Sequence, residues 1–347
     1  MRTAGQGVRK RSDGELLRMD DLRVYFGHRK APVRAVDGVS LSLMRGESVG
    51  LVGESGCGKT TLGRAIMRLV DVEDGRILFG GYDITTLKGG DLKAFRKQVQ
   101  MIFQDPYGSL NARIPVGRAI EEVLYVHKKG DRAQRHKRAA ELFESVGLDS
   151  EYLDRYPHEF SGGQRQRIGI ARAMAVDPKL IIADEPVSAL DVSVQVQILN
   201  LLRDLQEKMG LSYLFVAHDL AVVRYVCDRI MVMYLGRIVE SGRAERIYSF
   251  PSHPYTEALL SAVPDVGKGL KARREGRGDR IVLKGDVPSP IRRIPGCPFH
   301  PRCHRVRDKC RTDVPALREV SPGQWSACHY AEEILESSRD SGRPAQA

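Results

Sequence analysis

The segment Gly53-Glu54-Ser55-Gly56-Cys57-Gly58-Lys59-Thr60 fits G-x-x-x-x-G-K-[ST], and no other stretch of the 347 residues limits the possible folds as sharply. Such a loop works only when a buried strand feeds it and a helix leaves it. Both neighbours are present: Ser48–Val52 is a short apolar run, and Thr60–Leu69 continues with helical periodicity. The glycines let the backbone curl so that successive N–H groups, from Gly53 through Glu54, Ser55, Gly56, Cys57 and Gly58, surround one anion. The following helix adds the positive end of its dipole. Lys59 then reaches the β- and γ-phosphates of a nucleotide, Thr60 offers its hydroxyl to magnesium, and Thr61 adds a hydrogen bond nearer the α-phosphate. A chance glycine turn would supply neither the spacing nor the setting. Cys57 lies beside Lys59 at a helix N-terminus, where a thiol pKa can fall; a small residue filling the loop is the plainer reading.

A second element carries acid. Leu180-Ile181-Ile182-Ala183 is a bare apolar run of the buried parallel-strand kind, and it delivers Asp184 and Glu185 at its C-terminal end. Ligands of α/β sheets sit at those ends. There Asp184 holds magnesium, and Glu185 orients and deprotonates an attacking water. Leu190–Leu205 follows at helical spacing and Ser212–Ala217 reads as another buried strand. Strand and helix alternate, so an α/β fold with a mainly parallel sheet is expected. Between Asp105 and Asp177 the pattern is mostly helical, which predicts a helical insertion on that core.

Composition excludes several classes. With 42% hydrophobic and 29% charged residues the chain reads as globular, and no apolar run approaches the ~18 residues of a membrane helix. Met1–Arg18 is basic and lacks the apolar centre of a signal peptide, so the cytoplasm is expected. The net charge of +11 is concentrated: Lys268–Arg311 holds fourteen Lys or Arg against four Asp or Glu. A solvated surface is the default reading of that run, because no aromatic interleaving supports nucleic acid as a partner.

Phe160-Ser161-Gly162-Gly163-Gln164-Arg165-Gln166 resembles the signature sequence of ATP-binding-cassette (ABC) ATPases, with Phe160 where Leu is usual. The family's other landmarks line up in order. Tyr25 sits where an aromatic ring stacks on adenine, although an ordinary surface or core tyrosine would look the same. Gln104 resembles the Q-loop glutamine, Ser188-Ala189-Leu190-Asp191 the D-loop, and His218 the switch histidine. The resemblance implies an ABC-type core with an antiparallel β subdomain. It also implies magnesium held by Thr60, Gln104 and Asp184, and catalysis by Glu185 with His218 and Gln104. One chain cannot complete a site: Ser161, Gly162, Gly163 and Gln164 face the γ-phosphate held by a second ATPase subunit, so that ATP is sandwiched between two chains.

Phe103–Asn111, Arg155–Phe160 and His253-Pro254-Tyr255-Thr256 further resemble the oligopeptide/dipeptide importer branch, most closely its F-type subunit, with Ala112 where Pro is expected. The implied partners are a paralogous ATPase, two transmembrane permeases at the inner face of the cell membrane, and indirectly a solute-binding protein. The rival reading is a soluble ABC ATPase acting on ribosomes or nucleic acid; the single set of motifs and the lack of heptads argue against it.

Residues 20–262 are thus expected to form the ATPase domain, with the insertion at about 105–177. Residues 263–332 form a C-terminal extension that needs a staple, and 1–19 and 333–347 are tails without order. Within the extension Cys297, Cys303, Cys310 and Cys328 are spaced Cys-x5-Cys-x6-Cys-x17-Cys, without the tight pairs of most zinc modules. His300, His304 and His329 leave a mixed zinc site open. The branch resemblance implies a [4Fe-4S] cluster on the four thiolates, which is the expectation here, with zinc as the alternative.

Overall fold

The computed structural model describes residues 14–28, 30–263, 281–283 and 285–340; the Gly- and Arg-rich stretch Lys268–Arg280, which reads as a linker, lies outside them. Two sheets organise the chain. The first begins with the long strands β1 (Glu15–Phe26) and β2 (Val33–Met44). The chain then enters β3 (Ser48–Val52) and α1 (Lys59–Ile66), and returns through β4 (Asp74–Phe79) and β5 (Tyr82–Asp83). Strands β2, β1, β4 and β5 pair in that order into an antiparallel sheet.

After α2 (Gly89–Gln98) and β6 (Val99–Ile102) the chain leaves the sheet for a helical insertion. This contains α3 (Pro106–Ser109), α4 (Val116–Val126), α5 (Arg132–Ser145) and α6 (Gly162–Met174). It re-enters at β7 (Leu180–Asp184), crosses α7 (Val192–Met209) to β8 (Ser212–Ala217), and continues through α8 (Leu220–Val226) to β9 (Arg229–Tyr234) and β10 (Arg237–Arg243). Every residue of β3, β7 and β8 is buried, as strands covered on both faces must be. Strands β9, β3, β8, β7 and β6 run parallel, so their C-terminal ends share one edge of the sheet. One apolar core lies between this sheet and the first, under α1; the other joins the sheet to the insertion.

The C-terminal extension is not a separate unit. Past α9 (Ala244–Ser249) and α10 (Pro254–Ser261), strands β11 (Arg318–Ser321) and β12 (Gln324–Ser326) pair antiparallel, and β12 pairs with β10, extending the main sheet to eight strands. Cys297, Phe299 and Cys310 belong to the same apolar core as Tyr234 and Tyr255. The segment is therefore held by a shared sheet and core. Glu240 of β10, fully buried, stitches the junction. Its carboxylate accepts from the Ser252 amide and hydroxyl (2.7 Å each), the His253 amide (3.1 Å) and Gln324 Nε2 (3.0 Å).

Both expected tails need correction within the described residues. Residues 15–19 are part of β1, because Leu16, Leu17 and Met19 are buried in the inter-sheet core. Residues 333–340 continue the helix Ala331–Asp340, whose Ile334 and Leu335 are buried at 3% exposure each. The polar composition of each end hid a short apolar face.

Candidate active site

The loop after β3 is shaped by close approaches. Gly58 has φ of 108°, and a Cβ there would lie 1.9 Å from the Ala35 carbonyl oxygen; a Cβ on Gly53 would lie 2.2 Å from that of Met233. Only glycine fits at either place. Lys59, 5% exposed, donates to the carbonyls of Gly53 (2.7 Å) and Glu54 (3.0 Å), so its ammonium is held over the loop mouth. Thr60 and Thr61 follow on the first turn of α1. Cys57 is 2% exposed and burial pushes its thiol up, with Lys59 opposing, so this thiol is not activated.

Parallel register brings the other expected residues to the same edge. Thr60 Oγ1 donates to Asp184 Oδ1 at 3.1 Å. Asp184 is nearly buried, and desolvation raises its pKa against the opposing Thr60 hydrogen bond. Next to it, Glu185 adopts φ of 46°, a left-handed conformation that costs a non-glycine residue energy and is found where a site demands it. That backbone is held by the Glu185 amide donating to the Val216 carbonyl at 2.8 Å. Its Oε2 accepts from Gln104 Nε2 at 2.9 Å and lies 3.2 Å from His218 Nδ1. Gln104 follows β6, and His218 follows β8. Thus an amide, an imidazole and a carboxylate from three neighbouring strands converge beside an oxygen-rich pair, Thr60 and Asp184, of the type that suits a hard cation such as magnesium.

The remaining residues are placed as follows. Ser161 caps α6, its Oγ accepting from the Gln164 amide (3.3 Å) while Gln164 Oε1 accepts from the Ser161 amide (2.9 Å). Gly162 and Gly163 open the helix, which leaves its N-terminal amides at the molecular surface. Ser188 Oγ donates to the Glu185 backbone carbonyl at 3.2 Å, tying the start of Ser188–Asp191 to the backbone of Glu185. Tyr25 stands on β1, its hydroxyl donating to Asp37 at 2.6 Å and the Arg34 guanidinium 5.9 Å from its ring. Ser55 and Gly56 lie at the loop tip, while Glu54 is engaged by the C-terminal segment. Its amide donates to Tyr255 Oη (2.8 Å), and its carboxylate accepts a two-point contact from Arg302 (2.6 and 3.0 Å). Neither partner was assigned a role at this site from the sequence. Tyr255 sits in the His253–Thr256 motif and could have been suspected; Arg302, in a basic run, carried no signal.

Cys297, Cys303, Cys310 and Cys328 line one cavity of about 460 Å³, together with Phe299 and Ile334. Burial pushes the Cys303 thiol to about 11 and that of Cys328 to about 12. Among the described residues no three His, Cys, Asp or Glu side chains converge as a metal site.

Comparison with known proteins agrees with this geometry. A family model described as ABC transporter matches residues 36–188, and one described as oligopeptide/dipeptide transporter, C-terminal region, matches residues 239–310. A putative peptide import ATP-binding protein of Brucella abortus is 50% identical over 313 residues, covering 90% of this chain and 97% of that protein. The oligopeptide transport ATP-binding protein AppF of Bacillus subtilis is 49% identical over 322 residues, covering 90% and 97%. Among solved structures, the dimeric ATP-binding cassette MJ0796 in a post-hydrolysis state with ADP and phosphate superposes with a TM-score of 0.60 at 27% identity, over 66% of this chain and 99% of that one. For cbiO1 from Clostridium perfringens the TM-score is 0.63 at 25% identity, over 76% and 98%. With half its residues shared across nine-tenths of its length, the chain belongs to the ABC transporter ATPases, in the branch of peptide-import ATP-binding proteins.

Proposed function

We propose that the chain hydrolyses ATP as one of a pair of subunits that drive a membrane importer of di- and oligopeptides. The observation that carries this reading is the Glu185 carboxylate, held by Gln104 and His218 next to Thr60 and Asp184. Glu185 takes the proton of the attacking water, and His218 and Gln104 orient carboxylate and water toward the γ-phosphate. Lys59 and the loop amides hold the β- and γ-phosphates, and Tyr25 stacks on adenine. Thr60, Asp184 and Gln104 would hold magnesium, which when bound neutralises charge on the β- and γ-phosphates. Ser161–Gln164 close the partner's site, their exposed helix N-terminus facing its γ-phosphate.

The named relatives support peptide as cargo, a paralogue as the second ATPase, and two permeases with a separate binding protein as the rest of the machine. Among the described residues no helix is long and apolar enough to cross a membrane, which supports a peripheral place on the permeases' cytoplasmic face. Glu185→Gln tests the chemistry: phosphate release should fall about 10²–10⁴-fold while ATP binding persists and paired subunits stay closed. Near-parental hydrolysis would remove Glu185 as the base.

The four thiols support a second assignment, a [4Fe-4S] cluster on Cys297, Cys303, Cys310 and Cys328. They surround one cavity rather than meeting at a point, which suits a cluster that spaces its ligands round a cube. Bound there, such a cluster offers one-electron chemistry or a structural brace. Because burial keeps the Cys303 and Cys328 thiols protonated, loading releases protons. Anaerobically purified full chain should be brown, with broad absorbance near about 400 nm and iron and sulfide in equal amounts. Colourless protein carrying stoichiometric zinc overturns the assignment.

A further inference from the structure

The C-terminal segment reaches the phosphate loop at one residue. Glu54 is the second position of the loop, so it adds a negative charge to the segment whose amides would surround a polyphosphate anion. Left alone it would repel that anion. Instead Arg302 Nη1 donates to its Oε2 at 2.6 Å and Nη2 to its Oε1 at 3.0 Å, a parallel fork that binds far better than a point charge. The two side chains are 7% and 26% exposed, so water screens the pair weakly. The same residue is pinned from behind, its amide donating to Tyr255 Oη, and the buried Tyr255 ring packs 5.3 Å from Phe299. Phe299 lines the four-cysteine cavity, and Arg302 ends the 3-10 turn between Phe299 and Cys303. Arg302 lies 248 residues from Glu54 in sequence.

We propose that Arg302 is a positioning residue of the ATP site: the C-terminal segment supplies the charge that neutralises Glu54, and so sets the loop's affinity for nucleotide phosphates. The proposal rests on the ATP site described above. A brace that merely holds the segment in place would change stability; a neutralising charge changes phosphate affinity and does so through Glu54.

The test is equilibrium titration of the full chain, in a Glu185→Gln background, with a fluorescent ATP analogue and its ADP counterpart. Binding by the parent is the control for the site itself. Arg302→Gln should weaken the ATP analogue about tenfold, more than the ADP analogue and more at low salt. Glu54→Gln, which is isosteric, should tighten it severalfold, since Arg302 is then unopposed. The double variant Arg302→Gln/Glu54→Gln should return to within about threefold of the parent, the signature of a coupled pair. If Arg302→Gln does not fold, Glu54→Gln decides alone, because weaker binding by that variant contradicts the proposal. Parental affinity in Arg302→Gln, or a double variant as weak as the single, also overturns it.

Discussion

The two ends of the eight-stranded sheet are put together by different means. At one end, β3, β8, β7 and β6 run parallel, and the candidate site residues lie at or beyond their C-terminal ends: Lys59 after the loop, His218, Asp184 with Glu185, and Gln104. Each group needs only its own strand and the parallel register to reach the others. At the other end, β10, β12 and β11 run antiparallel, and the cysteine-bearing segment is attached by contacts between residues far apart in the chain, Glu240 with Gln324 and Glu54 with Arg302. A site of the first kind is built from short contiguous motifs; one of the second kind has no local code. The first end is made for chemistry on an anion. The second keeps a buried carboxylate, a buried imidazole and four thiols, two of them buried, together.

If the ends differ as described, substitutions should separate affinity from stability. The largest effect is expected from Lys59→Ala. Losing its charge-assisted bonds to phosphate should weaken ATP binding about a hundredfold in equilibrium titration, with little change in the unfolding midpoint without nucleotide. A collapsed midpoint would mean that Lys59 braces the loop rather than serving the ligand. Glu240→Ala should do the reverse. It strips the acceptor from the Ser252, His253 and Gln324 donors and should cost about 3 kcal/mol in denaturant unfolding. A loss below about 1 kcal/mol would say that β12 holds the junction without it.

A pH effect sharpens the contrast. Burial pushes the His253 imidazole down to about 3, while its Nδ1 accepts from the Tyr255 amide. The unfolded chain binds a proton below about pH 6.5 that the folded chain refuses, so this group's contribution is full above about 6.5 and is lost as pH falls toward about 3. His253→Asn, which keeps a capping acceptor, should flatten the acid limb of a stability–pH curve by up to one proton; an unchanged slope would place the acid sensitivity elsewhere. The smallest effect is expected from Phe160→Leu. This side chain is 4% exposed and its ring meets Tyr152 edge-on at 6.4 Å, and it takes no part in the hydrogen bonds between Ser161 and Gln164. Stability should fall by about 1–2 kcal/mol and hydrolysis should hold. A large loss of turnover would tie the departure from the usual Leu to the signature's function.

This division also explains what could be read beforehand. Ser48–Val52 and Ser212–Ala217 were expected as strands with the bounds they have, because bare apolar runs next to a glycine loop leave few alternatives. Glu185 and His218 could be placed at one edge because each closely follows such a run, whereas Gln104, preceded by the mixed stretch Val99–Phe103, could be placed only through the resemblance to the Q-loop. The left-handed backbone of Glu185 could not be foreseen, since a carboxylate residue gives no sign of positive φ. Nor could the attachment of residues 318–326 to β10, because pairing between strands separated by so much chain depends on register and packing rather than composition. Arg302 was one arginine in a basic run; only the folded geometry distinguishes it from its solvated neighbours. At both termini short apolar faces, Leu16–Leu17 and Ile334–Leu335, lay inside polar stretches and looked like tails.

Strand β12 does one more thing. By lying against β10 it covers backbone donors and acceptors that would otherwise form a naked border on a strand whose central residues are all buried. A protein cut after residue 263 would present that border to solvent, an invitation to stack edge to edge with other copies. Removing the extension is therefore expected to yield aggregates in light scattering rather than a smaller, well-behaved ATPase.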